Sequence, residues 1–128
     1  MATRLLLIGL GGFLGSVLRY LLSGAVQFAV GSMSIPAGTM AVNVVGCFAA
    51  GFVAEIAETR GALTELQRLF VLVGFLGGFT TFSAFAGESV NLVRDGEHGL
   101  AMLNVAVQVL VCLAAVWAGR SVAFTIWR

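Results

Sequence analysis

Lysine is absent from this chain, and charge of either sign is scarce. All seven basic residues are arginine, set against six acidic ones, and charged residues make up only 10% of the 128. A soluble domain carries about 25%, so this chain cannot coat a globule with polar surface. Its net charge of +1 provides no basic stripe to neutralise phosphates, which argues against nucleic acid as a partner. Cysteine is limited to Cys47 and Cys112, both within apolar stretches, and no CxxC or Cys/His cluster suggests a metal site. The two read as small packing residues, because a structural disulfide would have to join two helix interiors. The chain has no P-loop and no acidic residue deep in a helix, as a nucleotide-driven or ion-coupled pump would need.

What fills the chain instead is apolar. Hydrophobic residues make up 59%, the mean hydropathy is +1.03, and glycine, 17 residues of 128, is abundant. Glycine at roughly twice its usual ~7% share, mixed with Leu, Val and Phe, is the composition of membrane helices, whose backbones approach closely at small residues. Crossing the hydrocarbon takes about 20 apolar residues, and four stretches qualify: 5–30, 35–54, 69–93 and 99–119. The expectation is an all-α membrane protein, one four-helix unit over 1–128, with short connections at 31–34, 55–68 and 94–98. Arg4 followed by Leu5–Gly15 imitates a signal peptide. It is expected to stay, because the apolar stretch resumes beyond Arg19 and three more spans follow. Arg4, Arg60, Arg68, Arg120 and Arg128 fall on one side of a four-span layout, which predicts that both termini face the cytoplasm. Four short helices enclose little interior, so an aqueous or ion path calls for a second copy.

Several constellations could carry chemistry. Gly9, Gly11, Gly12 and Gly15 superficially resemble a dinucleotide fingerprint, but neither a strand nor a βαβ unit surrounds them. Gly11 and Gly15 form a GxxxG pair suited to helix packing. Arg19, roughly 21 Å along a helix from Leu5 at ~1.5 Å per residue, reads either as an Arg held by carbonyls or as a cation lining a vestibule. Pro36 suits a helix start, and Thr39 and Asn43 beyond it share one face. Asn104, Gln108 and Cys112 make a polar stripe on the fourth span. The strongest signal is the segment Gly74–Phe85, in which Gly77, Gly78, Thr80 and Thr81 all lower helix propensity in the middle of a span. It predicts a third helix broken at mid-membrane over Gly77–Ser83, tolerated only where protein or a polar cavity meets the freed groups. The carbonyls of Gly77–Thr80 would then suit a hard cation such as Na⁺. Phe82 and Phe85 read either as core aromatics or as ring edges facing an anion. Glu88 reads as a polar end-group or the partner of an Arg, without a transport role.

These residues resemble the Fluc/CrcB family of small fluoride channels over essentially the whole chain. The likeness rests on Gly11-Gly12 with Gly15, Arg19-Tyr20, Pro36-x-Gly38-Thr39-x-x-Val42-Asn43, and the long segment GFLGGFTTFSAF with Glu88. It implies an antiparallel, dual-topology dimer in a prokaryotic plasma membrane, the inner membrane of a Gram-negative cell. It also implies two anion pores and a central structural Na⁺ held by the carbonyls of Gly77 and Thr80. Asn43, Phe82 and Phe85 would line the fluoride path; Thr39, Thr81, Ser83, Asn104, Gln108 and Arg19 are further candidates along it. Two features depart from the pattern: Gln108 and Cys112 stand where members often carry Ser or Thr, and the Arg bias is marked for a dual-topology chain. A homologous sister subunit is the alternative partner. Four short helices alone also fit a dual-topology exporter of organic cations, or a non-conducting assembly subunit. The exporter would need an acidic residue within a span, and the first two spans have none.

Overall fold

The computed structural model describes residues 1–31 and 34–127, with Arg60 described by its backbone only. Two residues of the first expected connection (Ser32 and Met33) and two contributors to the Arg bias (Arg128 and the Arg60 side chain) therefore lie outside the described residues. Every regular element among the described residues is helical. They are α1 (Ala2–Val30), α2 (Ala37–Arg60), α3 (Glu65–Arg68), a π-helical segment (Leu69–Leu76), α4 (Gly77–Phe79), α5 (Phe82–Arg94) and α6 (His98–Ile126).

Four helical stretches are long and apolar enough to cross a membrane: Ala2–Val30, Ala37–Thr59, Glu65–Arg94 and His98–Ile126. Each matches an expected span, and each overruns it at one or both ends. Helix α1 has 29 residues, about 43 Å at ~1.5 Å per residue, against ~30 Å of hydrocarbon. The overruns carry the charge. Beyond Ala54, α2 continues through Glu55 and Glu58, and Arg120 of α6 pairs with both, at 3.0 and 2.9 Å. The third stretch starts on a capping box: the Gln67 N–H donates to Thr64 Oγ1 (3.3 Å), and the Thr64 N–H donates to Gln67 Oε1 (2.9 Å). Pro36 stands just before α2 rather than inside it, and the Met40 N–H bonds its carbonyl at 3.1 Å.

The interruption in the third stretch is narrower than the sequence predicts, and the glycines do not make it. Gly77 keeps a helical backbone (φ −63°, ψ −34°) and α4 runs on through Phe79. Only Thr80 (φ −86°, ψ 156°) and Thr81 (φ −148°, ψ 115°) are extended. Both are β-branched, which favours the extended state. The Thr81 hydroxyl then restarts the helix, accepting the Ala84 N–H at 3.1 Å. Ser83, inside the expected break, already belongs to α5.

The glycines instead bring helices together. Gly11 and Gly15 of α1 face Gly74 and Gly78 of the third stretch, two small-xxx-small faces pressed on one another. A Cβ on Gly11 would lie 2.5 Å from the Phe70 carbonyl oxygen, one on Gly78 2.5 Å from the Gly12 carbonyl oxygen, and one on Gly15 would run into the Phe75 carbonyl. Helices α2 and α6 pack in the same way, Gly51 against the Val116 carbonyl and Gly119 against the Phe48 carbonyl. They run parallel with a constant offset of 65 residues, seen in Asn43 with Gln108, Gly51 with Val116 and Glu55 with Arg120.

The result is inverted relative to a soluble protein. Large side chains such as Phe28, Met102 and Trp117 are exposed, whereas Thr39, Asn43, Asn104 and Gln108 are buried. Lipid tails solvate the apolar exterior, and the helices bury their polar groups against one another.

Gly15→Ala is expected to destabilise the protein by about 1–3 kcal/mol, because its Cβ meets backbone that cannot swing aside. Gly9→Ala meets nothing within 4 Å and is expected to be neutral or to gain up to ~1 kcal/mol of helix propensity. Thermal unfolding of both variants in detergent checks this, and equal melting temperatures would contradict it.

Candidate functional site: a polar core at the helix interruption

The Thr80 N–H still reaches the Leu76 carbonyl at 3.0 Å, but Thr81, extended inside the third stretch, forfeits its helical hydrogen bonds, and its groups need partners. Asn43 of α2 supplies them for Thr81. Its Oδ1 accepts the Thr81 N–H at 2.8 Å, and its Nδ2 donates to the Thr81 carbonyl at 3.1 Å. One carboxamide thus bonds both backbone groups of one residue, as a neighbouring strand would. Asn43 is buried, and the Thr39/Val42/Asn43 face of α2 points to the interruption because those positions are three or four apart.

From Asn43 a relay of hydrogen bonds crosses the molecule. The Asn43 amide also donates to Gln108 Oε1 (2.6 Å), Gln108 Nε2 donates to Asn104 Oδ1 (3.2 Å), and Asn104 Nδ2 donates to Ser89 Oγ (2.9 Å). The Ser89 hydroxyl closes the relay on the Phe85 carbonyl at 2.8 Å. Asn104, 1% exposed, and Gln108, 5% exposed, are thereby satisfied inside the bundle. Such donor-to-acceptor chains polarise one another and fix a unique arrangement. Sequence reasoning missed Ser89; its signal is the spacing of four from Phe85.

The interruption separates two hollows, and Thr81 lines both. The first, of about 660 Å³, is polar and includes Ser16, Arg19, Ser23, Gln27, Thr39, Glu88 and Asp95 in its lining. The second, of about 350 Å³, is lined by Asn43, Cys47, Thr80, Thr81, Phe82, Phe85, Gln108 and Cys112, with Val109, Leu113 and Val116 behind them. Ser16, Arg19, Ser23 and Gln27 form a stripe along α1 at spacings of three and four. Only Arg19 of that stripe stood out in the sequence, because the others are uncharged residues on an otherwise apolar helix.

Arg19 is held by a carbonyl and also edges a hollow. Its Nε donates to the Gly78 carbonyl at 3.1 Å, and the residue also lines the polar hollow. Glu88 reads in the sequence as an end-group or the partner of an Arg, and no arginine pair to it is present among the described residues. The Thr39 hydroxyl donates to its Oε1 at 2.5 Å, while Oε2 is buried without a partner.

The remaining candidates divide. Phe85 is buried, and Phe82 is 77% exposed with its ring edge-on to Phe85 at 5.2 Å. Ser83 lies outside both hollows, its hydroxyl 3.2 Å from Thr81 Oγ1. Asn104 lines neither hollow and serves as a link in the relay. Cys47 and Cys112 are free thiols, half-buried, and face the second hollow rather than packing in the core.

Thr80 is the first residue of the interruption, and Gly77 opens the short α4 before it. The last carbonyls of a helix lack intrahelical partners, and α4 ends at Phe79. Arg19 Nε and the Ser16 hydroxyl take the Gly78 carbonyl. Gly77 is exposed, and a Cβ there would meet only the Leu72 carbonyl oxygen, at 3.9 Å.

A family model described as CrcB-like protein, Camphor Resistance (CrcB), matches residues 6–120. A protein of Geobacter sulfurreducens named fluoride-specific ion channel FluC is 45% identical over 117 residues, covering 91% of this chain and 94% of the relative. One of the same name from Opitutus terrae is 48% identical over 117 residues, covering 90% and 88%. Another, from Methanocaldococcus jannaschii, is 43% identical over 128 residues and the full length of both.

Asn43→Asp keeps an acceptor for the Thr81 N–H but removes both donors, setting a carboxylate against Gln108 Oε1 and the Thr81 carbonyl. Each oxygen left without a donor is expected to cost about 1–3 kcal/mol. The variant should melt lower and exchange its amides faster at Thr81–Phe85. Hydrogen exchange with mass spectrometry checks this, and unchanged protection there would contradict the role given to Asn43.

Proposed function

The chain belongs to the CrcB family, and from that premise we propose that it is a passive, fluoride-selective channel that lets F⁻ leave the cytoplasm and so relieves fluoride toxicity. It is not an enzyme. The observation that supports the mechanism is the interruption at Thr80–Thr81, clamped by Asn43 between a polar hollow and one edged by phenylalanine.

Fluoride is small and strongly hydrated, so a path must replace its water with donors without trapping it. Conduction needs binding weak enough to release the ion. Neutral donors meet that demand. In this reading Arg19 draws anions into the polar hollow, and its bond to Gly78 keeps its full charge out of the narrow part. The ion then passes the Thr81 hydroxyl, which Ser83 positions from outside the hollows, and the Asn43 amide, with F⁻ replacing Gln108 Oε1 as an acceptor of Asn43. Thr39 lines the approach and holds the Glu88 carboxylate. The electropositive edges of Phe82 and Phe85 line the second hollow beside Gln108. Asn104 acts through Gln108 and does not touch the ion. An inside-negative potential supplies about 2.3 kcal/mol per 100 mV to one departing charge, so no coupled energy source is required.

The phenylalanine-edged hollow is open on one side in a single chain, and Phe82 is largely exposed there. This supports an assembly in which a second copy, antiparallel in a dual-topology dimer, completes each path; a homologous subunit is the alternative. The interruption then sits at mid-membrane, in the plasma membrane of a prokaryote (the inner membrane of a Gram-negative cell). A structural Na⁺ fits the same picture. Gly77 stands in the last turn before the interruption and Thr80 within it, and a Cβ on Gly77 would meet only the Leu72 carbonyl oxygen, at 3.9 Å. Such an ion, when bound, would neutralise carbonyl dipoles gathered from two interruptions.

Proteoliposomes of the chain expressed alone are expected to discharge a fluoride gradient once a K⁺ carrier opens the counter-ion path, while holding a chloride gradient. Equal fluoride and chloride fluxes would overturn the selectivity, and efflux only with a second subunit would replace the homodimer by the paired assembly. A Cβ at Gly77 meets only the Leu72 carbonyl oxygen, at 3.9 Å, within one chain, so the expected loss of dimer and of flux in Gly77→Val tests the cation site. A dimeric, fully active Gly77→Val protein would count against that site.

A further inference from the structure

The parallel register of α2 and α6 has one rung that the fluoride reading leaves unused. With the offset of 65 residues, Asn43 meets Gln108, Gly51 meets Val116 and Glu55 meets Arg120. The rung between the first two is Cys47 with Cys112. Both residues line the same hollow of about 350 Å³, both are half-buried, and both thiols are free. They are the only cysteines in the chain. Beyond the rung, Leu113 and Val116 supply an apolar wall.

From this geometry we propose that Cys47 and Cys112 form a two-coordinate site for a soft, thiophilic d¹⁰ cation, and that occupancy closes the hollow to the anion. Thiolates are soft ligands and select soft ions over Na⁺ or Mg²⁺. Two thiols on one rung suit the linear geometry that Hg²⁺ and Ag⁺ accept, and a soft ion prefers them to the amide and hydroxyl oxygens of Asn43, Gln108, Thr80 and Thr81 in the same hollow. Binding releases protons. For mercury the step is Hg²⁺ plus two thiols giving a neutral bis-thiolate and two H⁺, with no change in oxidation state. The ion would sit one helical turn beyond the Asn43–Gln108 rung, beside Phe82 and Phe85. It would narrow the space through which F⁻ passes.

The position of the site on the anion path rests on the fluoride reading; the existence of the site does not. The test therefore has two arms. In the first, the purified full chain in detergent is titrated with mercuric chloride. One tightly held mercury per chain is expected by mass spectrometry, with two protons released per ion and both thiols lost to a thiol-reactive dye. Cys47→Ser and Cys112→Ser should each lose the tight binding and release at most one proton. Two mercury ions per wild-type chain, or single variants that bind as tightly as the wild type, would overturn the paired site. In the second arm, fluoride efflux from proteoliposomes is compared with and without mercuric chloride. The wild-type flux should fall by about tenfold or more as the path is obstructed, and the ratio for each serine variant should stay near one. Wild-type flux that persists with mercury bound would remove the site from the path. Absence of flux before any mercury is added would count against the fluoride reading alone, leaving the binding arm to decide the site.

Discussion

The carboxamide of Asn43 and the backbone of Thr81 hold this architecture open. A transmembrane helix normally satisfies its own backbone, and that is why helices cross membranes at all. Extending the chain at Thr81 gives up that self-sufficiency. The Asn43 amide restores it for Thr81 by bonding both its N–H and its C=O. Because the same amide also reaches Gln108, the clamp ties α2, the interruption and α6 into one arrangement. The relay through Asn104 and Ser89 carries that constraint to α5, so the site is held by hydrogen bonds where a soluble protein would use an apolar core.

Close helix contact makes the clamp possible. Asn43 can reach Thr81 only because α2 and the third stretch approach closely; a Cβ on Gly46 would collide with the Thr80 side chain. On the other side, α1 lies against the third stretch through four facing glycines and brings Arg19 to the Gly78 carbonyl. The interruption is thus gripped from two sides. Polar groups meet its freed backbone, and small residues set the distance.

Much of this was readable in advance, for reasons that differ by residue. The four spans follow from apolar length, a property of the chain alone. Asn43 and Gln108 drew attention because an amide inside an apolar run demands partners. Gly11 and Gly15 were legible as packing faces because spacing of four is intrinsic to the helix. Gly77 and Gly78 misled, since low helix propensity reads the same whether glycine breaks a helix or lets another helix in. The Ser16–Ser23–Gln27 stripe and Ser89 passed unnoticed, because small polar residues cost little to place in a helix and carry no charge. Glu88 leaves two readings open in the sequence, an end-group or the partner of an Arg, because reach between helices, not charge alone, selects its partner.

The sequence by itself determined the solvent, the number of spans, the residues needing partners and the family. These depend on composition, local period and motif. Tertiary structure decided which residues are extended, whose carbonyl Arg19 meets, and that Cys47 faces Cys112 across a parallel pair of helices. Those facts rest on the register and separation of helices distant in sequence, set by backbone contact at glycines. The interruption expected over Gly77–Ser83 is accordingly two threonines wide, placed where Asn43 can replace the hydrogen bonds that the helix gives up.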